Sequence, residues 1–132
     1  MNITRKSVSY KDNRGKIIDI LTDAEIDGLT LITSKQGAIR GDHYHKNTVQ
    51  YTFIIIGELI LLTQNDDEKM KKTPLQPNDF VTILPYERHA IVSLTDSIML
   101  AITNGPRKGI EYEGDTYRLS DNESLISKGR YR

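Results

Sequence analysis

The stretch GAIRGDHYHKNTVQYTFIIIG, Gly37 to Gly57, decides how the rest of the chain is read. It holds two of the chain's three histidines, His43 and His45, separated only by Tyr44. Side chains alternate between faces along a strand, so these two imidazoles point to one side. Gln50 follows, and then Tyr51-Thr52-Phe53-Ile54-Ile55-Ile56, an aromatic and β-branched run suited to a strand. If segments 41–46 and 49–56 lie in one sheet, Gln50 faces the same interior. The third histidine, His89, stands beside another strand, so all three can converge on one pocket.

Working outward, strand-length apolar runs recur on both sides. Residues 16–21 follow the turn-like Asp12-Asn13-Arg14-Gly15, and residues 29–34 follow Asp27-Gly28. Residues 48–56 end at Gly57, residues 59–64 come next, and residues 80–84 follow Pro77-Asn78-Asp79. Residues 90–94 and 98–103 flank Thr95-Asp96-Ser97. Short runs closed by Gly, Asp, Asn or Pro at regular spacing predict an all-β sandwich or barrel. The run Leu59-Ile60-Leu61-Leu62 has no polar face, which predicts burial on both sides, within the sandwich or against a second subunit. Helical signal is weak. Residues 22–26 suit one turn capped by Thr22 or Asp23, and the polar tail 120–132 suits a short helix or a frayed end. Residues 64–72 read as an exposed hairpin loop, and Glu87 and Arg88 as part of an exposed turn.

The 132 residues and 37% hydrophobic content suit one domain, 1–132, with one core. A formal net charge of zero argues against a nucleic-acid surface. With no cysteine, disulfides, thiolate nucleophiles and cysteine-bound zinc are excluded. No apolar run is long enough to span a bilayer, and the N-terminal residues lack the apolar centre of a signal peptide. The expectation is a cytoplasmic protein with neither membrane nor nucleic-acid partners.

The spacing Gly37, five residues, His43-x-His45, four residues, Gln50, six residues, Gly57 resembles the first cupin motif, with Gln50 where that motif usually has glutamate. A second motif runs from Asn78 to Ser93 in altered form: Asn78 and Tyr86 stand at usual glycines, Leu84 at a usual proline and Ser93 at a usual asparagine. His89 falls where the last metal-binding histidine of cupins falls. The resemblance implies an all-β cupin, a double-stranded β-helix of jelly-roll type. More narrowly, Arg40-Gly41-x-His43-x-His45-Lys46 is similar to a signature of cupin enzymes that act on nucleotide-linked 4-keto-6-deoxy sugars. These are the sugar 3,4-ketoisomerases and, more distantly, the dTDP-4-dehydrorhamnose 3,5-epimerases. The opening Lys11-Asp12-Asn13-Arg14-Gly15 resembles the start of those proteins.

That resemblance implies an isomerase or epimerase of nucleotide sugars in surface polysaccharide synthesis. A proton beside a ketone must leave and return, and imidazole titrates in the range to do this. His43 is the leading base and His45 its partner or shuttle. Tyr86 is the candidate acid, with Tyr51, Tyr112 and Tyr117 as further tyrosines. Arg40, Lys46 and Gln50 are the candidate substrate-binding residues, and Gln50 also suits a hydrogen bond to His45. No cofactor is required in this reading, and no aspartate that would orient a histidine is identifiable. A second reading makes His43, His45 and His89, with Gln50 or water, the ligands of a divalent Zn, Fe, Ni or Mn ion. A third is a sugar-binding module without catalysis. Similar small cupins pair, so a homodimer is expected.

Overall fold

The computed structural model describes residues 1–105 and 114–131. Two five-stranded antiparallel sheets face each other. One has the order β1 (Asn2–Arg5), β9 (Asp79–Ile83), β6 (Val49–Ile56), β11 (Ser97–Asn104), β4 (Gly28–Ser34). The other has the order β12 (Tyr117–Arg118), β5 (Ile39–Tyr44), β10 (Arg88–Ser93), β7 (Leu59–Gln64), β8 (Lys71–Leu75). A separate hairpin joins β2 (Tyr10–Asp12) to β3 (Gly15–Ile17). This is the jelly-roll expected from the motif. Among the described residues no helix is long and apolar enough to cross a membrane.

The strands that looked apolar on both faces are explained within one subunit. Leu59 and Leu61 of β7 point between the sheets, where they meet Ile54, Leu75, Val81, Ile83 and Met99. Ile60 and Leu62 point outward into a second cluster with Ala90, Val92, Leu125 and Ile126. The last two belong to α1 (Leu125–Lys128), and both are fully buried. The polar tail is thus a short helix docked on the outer face of the sheet. Its N-terminus is fixed by Asp42, whose carboxylate accepts from the Leu125 amide at 2.8 Å and the Ser124 hydroxyl at 2.6 Å. A third cluster, Phe53, Phe80 and Ile102, lies on the outer face of the first sheet beneath Ile20 and Leu21.

Several expectations need correction. Segments 41–46 and 49–56 do not share a sheet: β5 and β6 lie in opposite sheets, so Gln50 faces the histidines across the interior. Residues 22–26 form no helical turn, and Asp23 has a φ of 56°. Two residues of apolar run cannot make a helix without a docking face. Lys71 and Lys72, read as loop, begin β8, whose Pro74 is tolerated because β8 is an edge strand. Glu87 is not exposed: it is 3% accessible, and its carboxylate takes hydrogen bonds from the Met1 ammonium at 2.8 Å and Asn65 at 3.2 Å.

Candidate active site

The site is built around an irregularity in β5. Along a flat strand Arg40 and His43, three positions apart, would face opposite ways. The pairing of β10 with β5 shifts between His89, which opposes His43, and Ala90, which opposes Gly41. Asp42 is the extra residue, a β-bulge, with φ of 67°, and Gly41 has φ of 85°. The bulge turns both Arg40 and His43 inward and sends Asp42 out to α1. Glycine is needed at 41 for a further reason: a Cβ there would meet the His89 carbonyl oxygen at 3.0 Å.

His43, His45 and His89 then meet. Their ring centroids form a triangle with sides of 4.7, 4.7 and 5.4 Å, and all three are buried. Two of the rings have an assigned proton. His45 Nδ1 lies 2.9 Å from the Asp115 carbonyl oxygen, and His89 Nδ1 lies 3.0 Å from the Glu87 carbonyl oxygen. A carbonyl only accepts, so in each ring Nδ1–H donates and the lone pair sits on Nε2. His89 Nε2 is buried and has no hydrogen-bond partner among the described residues. Burial pushes the His89 imidazole from the ordinary 6.5 down to about 4, opposed by the Glu87 carbonyl and aided by the charge of His45.

This depression has a consequence for stability. Between pH 6.5 and 4 the unfolded chain binds a proton at His89 that the native protein does not, so native stability falls as the solution is acidified through that window. The expected loss is on the order of 3 kcal/mol, read from denaturant melts at neutral pH and near pH 4. His89→Asn should flatten the dependence. An unchanged slope in that variant would assign the acid sensitivity elsewhere.

Asp115 was not found by sequence reasoning. Besides offering its carbonyl to His45, it uses its carboxylate on the turn after β5. It accepts from the Lys46 amide at 3.0 Å, the Asn47 amide at 3.1 Å and the Thr48 hydroxyl at 2.6 Å. Burial raises its carboxyl pKa, but these donors and the nearby His45 outweigh that and hold it below the usual value. His45 is therefore oriented by a main-chain carbonyl and not by an aspartate carboxylate. No spacing rule links residue 115 to residue 45, and only the fold joins them.

Between the sheets lies a cavity of about 390 Å³. His43, His89, Gln50 and Thr52 line it, with aliphatic side chains beyond them and Arg40 and Arg118 at its exposed rim. Gln50 donates from Nε2 to the Thr52 hydroxyl at 3.3 Å and not to His45. Arg40 spans the two sheets, donating to Ser34 Oγ at 2.8 Å and the Thr33 carbonyl at 2.9 Å. Arg118, also missed in the sequence, pairs in register with His43 on the neighbouring strand and so shares its face.

Several candidates, His45 among them, do not line this cavity. Tyr44 alternates with two inward histidines and therefore points outward. Tyr117, its partner in register, and Tyr86 both stack on it, at 5.3 and 6.3 Å between centroids. Tyr86, the candidate acid, is 62% exposed in this outer stack. Lys46 follows Tyr117, its ammonium 4.2 Å from that ring. Neither Tyr86 nor Lys46 lines the cavity. Tyr51, alternating with Gln50, packs outward on Phe80 at 5.7 Å. Tyr112 lies outside the described residues. The altered second motif keeps its backbone, since Asn78 and Tyr86, at the usual glycines, have φ of 76° and 68°.

A jelly-roll whose facing sheets enclose a cavity beside a cluster of three histidines has the cupin fold. A model of the polysaccharide biosynthesis C-terminal domain family matches residues 10–117, and the chain belongs to that family. Among curated proteins none matches the sequence. In fold the chain is similar to a 3,4-ketoisomerase from Helicobacter canadensis, with 22% identity over 92% of each chain and a TM-score of 0.77. It is similar to a sugar 3,4-ketoisomerase from Thermoanaerobacterium thermosaccharolyticum solved with TDP, with 20% identity over 99% of this chain and 96% of that one and a TM-score of 0.75. It is also similar to a dTDP-4-dehydrorhamnose 3,5-epimerase from Sulfolobus tokodaii, with 17% identity over 92% and 77% of the two chains and a TM-score of 0.74.

Proposed function

We propose that the protein is an isomerase or epimerase of a nucleotide-activated 4-keto-6-deoxy sugar, working by histidine acid/base catalysis in surface polysaccharide synthesis. The observation that carries this reading is the cavity wall itself, where His43 and His89 stand beside an amide, a hydroxyl and a rim arginine. Family membership and the named activities of the structural neighbours support it. His43 takes the proton from the carbon beside the ketone. His45, held by Asp115, backs it in the cluster. The enolate that results needs donors near its oxygen, and Gln50 and Arg40 are the cavity's candidates. Tyr86 has no part, because its ring is on the outer face of the sheet.

The test is incubation with nucleotide-linked 4-keto-6-deoxy sugars in deuterated water. Deuterium at a carbon beside the ketone is expected. If several such sugars bind, as judged by a raised melting temperature, and none exchanges, the protein is a binding module and the catalytic reading fails. A nucleotide-sugar substrate would also place the protein in the cytoplasm.

A second reading has its own observation. The candidate ligand atoms of His43, His45 and His89 lie within 4.8 Å of one another. Two nitrogens on one tetrahedral zinc stand about 3.4 Å apart, so modest closure would let the triad hold a divalent ion. The fit is chemically sound: His89 Nε2 is a buried lone pair without a partner among the described residues, and the carbonyl bonds at Nδ1 leave Nε2 for a metal. Gln50 adds no charge to such a site. A bound metal would polarise a ketone as a Lewis acid. Less than a tenth of an equivalent by elemental analysis, after metal-supplemented expression, would remove this reading.

We also propose a homodimer. Strand β4, at the edge of its sheet among the described residues, carries Leu29 and Leu31 outward, 67% and 64% exposed, an apolar pair that a second subunit would cover. Light scattering at micromolar concentration should give twice the chain mass, and Leu29→Asp should shift it toward one. A wild-type monomer would end the proposal.

A further inference from the structure

The cavity has a polar side, formed by the histidines, Gln50, Thr52 and the rim arginines, and an aliphatic side that a sugar's hydroxyl groups do not call for. Behind the imidazoles its walls are Ile32, Leu61, Leu75, Val81, Ile91 and Met99, and four of these also form the central core cluster. Interiors pack to the density of organic crystals, so an opening that reaches these core residues is not the default. Its volume of about 390 Å³ is more than twice the roughly 150 Å³ that suffices for benzene in an apolar cavity. Small residues keep it open: Ala101, 4% exposed, sits in the wall where a longer aliphatic chain would fill the space. Away from the histidine side, the walls offer few side-chain partners for hydroxyl groups. Beyond the histidines only Gln50 and Thr52 offer polar side chains among the described residues, and the rim arginines stand at the exposed side. A ring with its full set of hydroxyls would bury several of them unpaired, which costs affinity.

We infer that the inner chamber binds an apolar substituent larger than a methyl group, such as an acyl or branched alkyl chain, carried by the substrate. The inference rests on the sugar reading for what carries the substituent, and on the chamber walls for the substituent itself. The ligand class is therefore amphipathic. An anionic part lies at Arg40 and Arg118, the reacting carbonyl at His43 and His89, and the apolar part lies between the sheets against Ile91 and Met99.

The experiment uses the full chain and a homologous series of ethyl, butyl and hexyl phosphate, titrated calorimetrically. Phosphate addresses the arginines and the chain addresses the chamber. Affinity is expected to rise about fourfold per added methylene, the factor for burying a CH₂ group. With methyl-labelled methionine, the Met99 signal should move on adding hexyl phosphate, whereas Met70, on the outer side of the sheet, should not. Ala101→Leu should abolish the chain-length dependence. An affinity independent of chain length, no binding of any member, or an unmoved Met99 signal would each overturn the inference. Because no turnover is read, failure here is distinct from failure of the isomerase reading: deuterium exchange without chain-length dependence removes only the chamber, and the reverse removes only the reaction.

Discussion

Replacing His43 by asparagine is expected to lower the rate of deuterium wash-in by about 10²–10⁴-fold, the range for loss of a general base. The melting temperature should change little. The side chain lines the cavity, and asparagine keeps a polar group of similar reach near the end of β5. Of the motif's two histidines, His43 faces the cavity, whereas His45 does not line it and has its Nδ1 engaged by Asp115. His45→Asn should therefore act less directly, by loosening the cluster. A wash-in rate within tenfold of wild type for His43→Asn would move the base to His89. Equal binding of the nucleotide sugar by both proteins would show that the loss lies in the proton transfer.

Leu125→Ala is expected to destabilise the fold by about 2–5 kcal/mol, the range for a leucine removed from a closed core. Leu125 has no exposed surface and packs with Leu62, Ala90 and Val92 beneath a helix of one turn. So short a helix has no stability of its own, which means its burial and its Asp42 cap hold it in place. Domains of this size have roughly 5–15 kcal/mol in total, so the change should be plain in a urea melt. A loss below about 1 kcal/mol would mean that the helix rides on the sheet without supporting it.

Most of the sheets could be read from the chain because β-branched runs and turn residues are local signals. Residues 59–64 were legible to the residue as β7, and 29–34 nearly so as β4. The inward histidines were legible for the same reason, since alternation is a rule about neighbours. What escaped depended on contacts between distant residues. β1 and β12 exist because β9 and β5 offer them free edges, and neither carries an apolar signature of its own. The docking of Leu125 could not be seen without the face of Leu62 and Val92. Asp115 and Arg118 reach the site by register alone. Tyr86 was misplaced because its distance in sequence from His89 says nothing about which side of a sheet its turn faces.

The bulge at Gly41–Asp42 ties the two sides of one sheet together. A flat strand would leave a single outward position between two inward ones, and this strand has two. The additional one carries the carboxylate that anchors the C-terminal helix, while its immediate neighbours set the spacing between the rim guanidinium and the imidazoles. The protein's outer brace and its inner tool are thus mounted on the same pin, one residue wide. A graft that copied only the inward side chains onto a regular strand would keep their chemistry and lose the fastening that holds them at that distance.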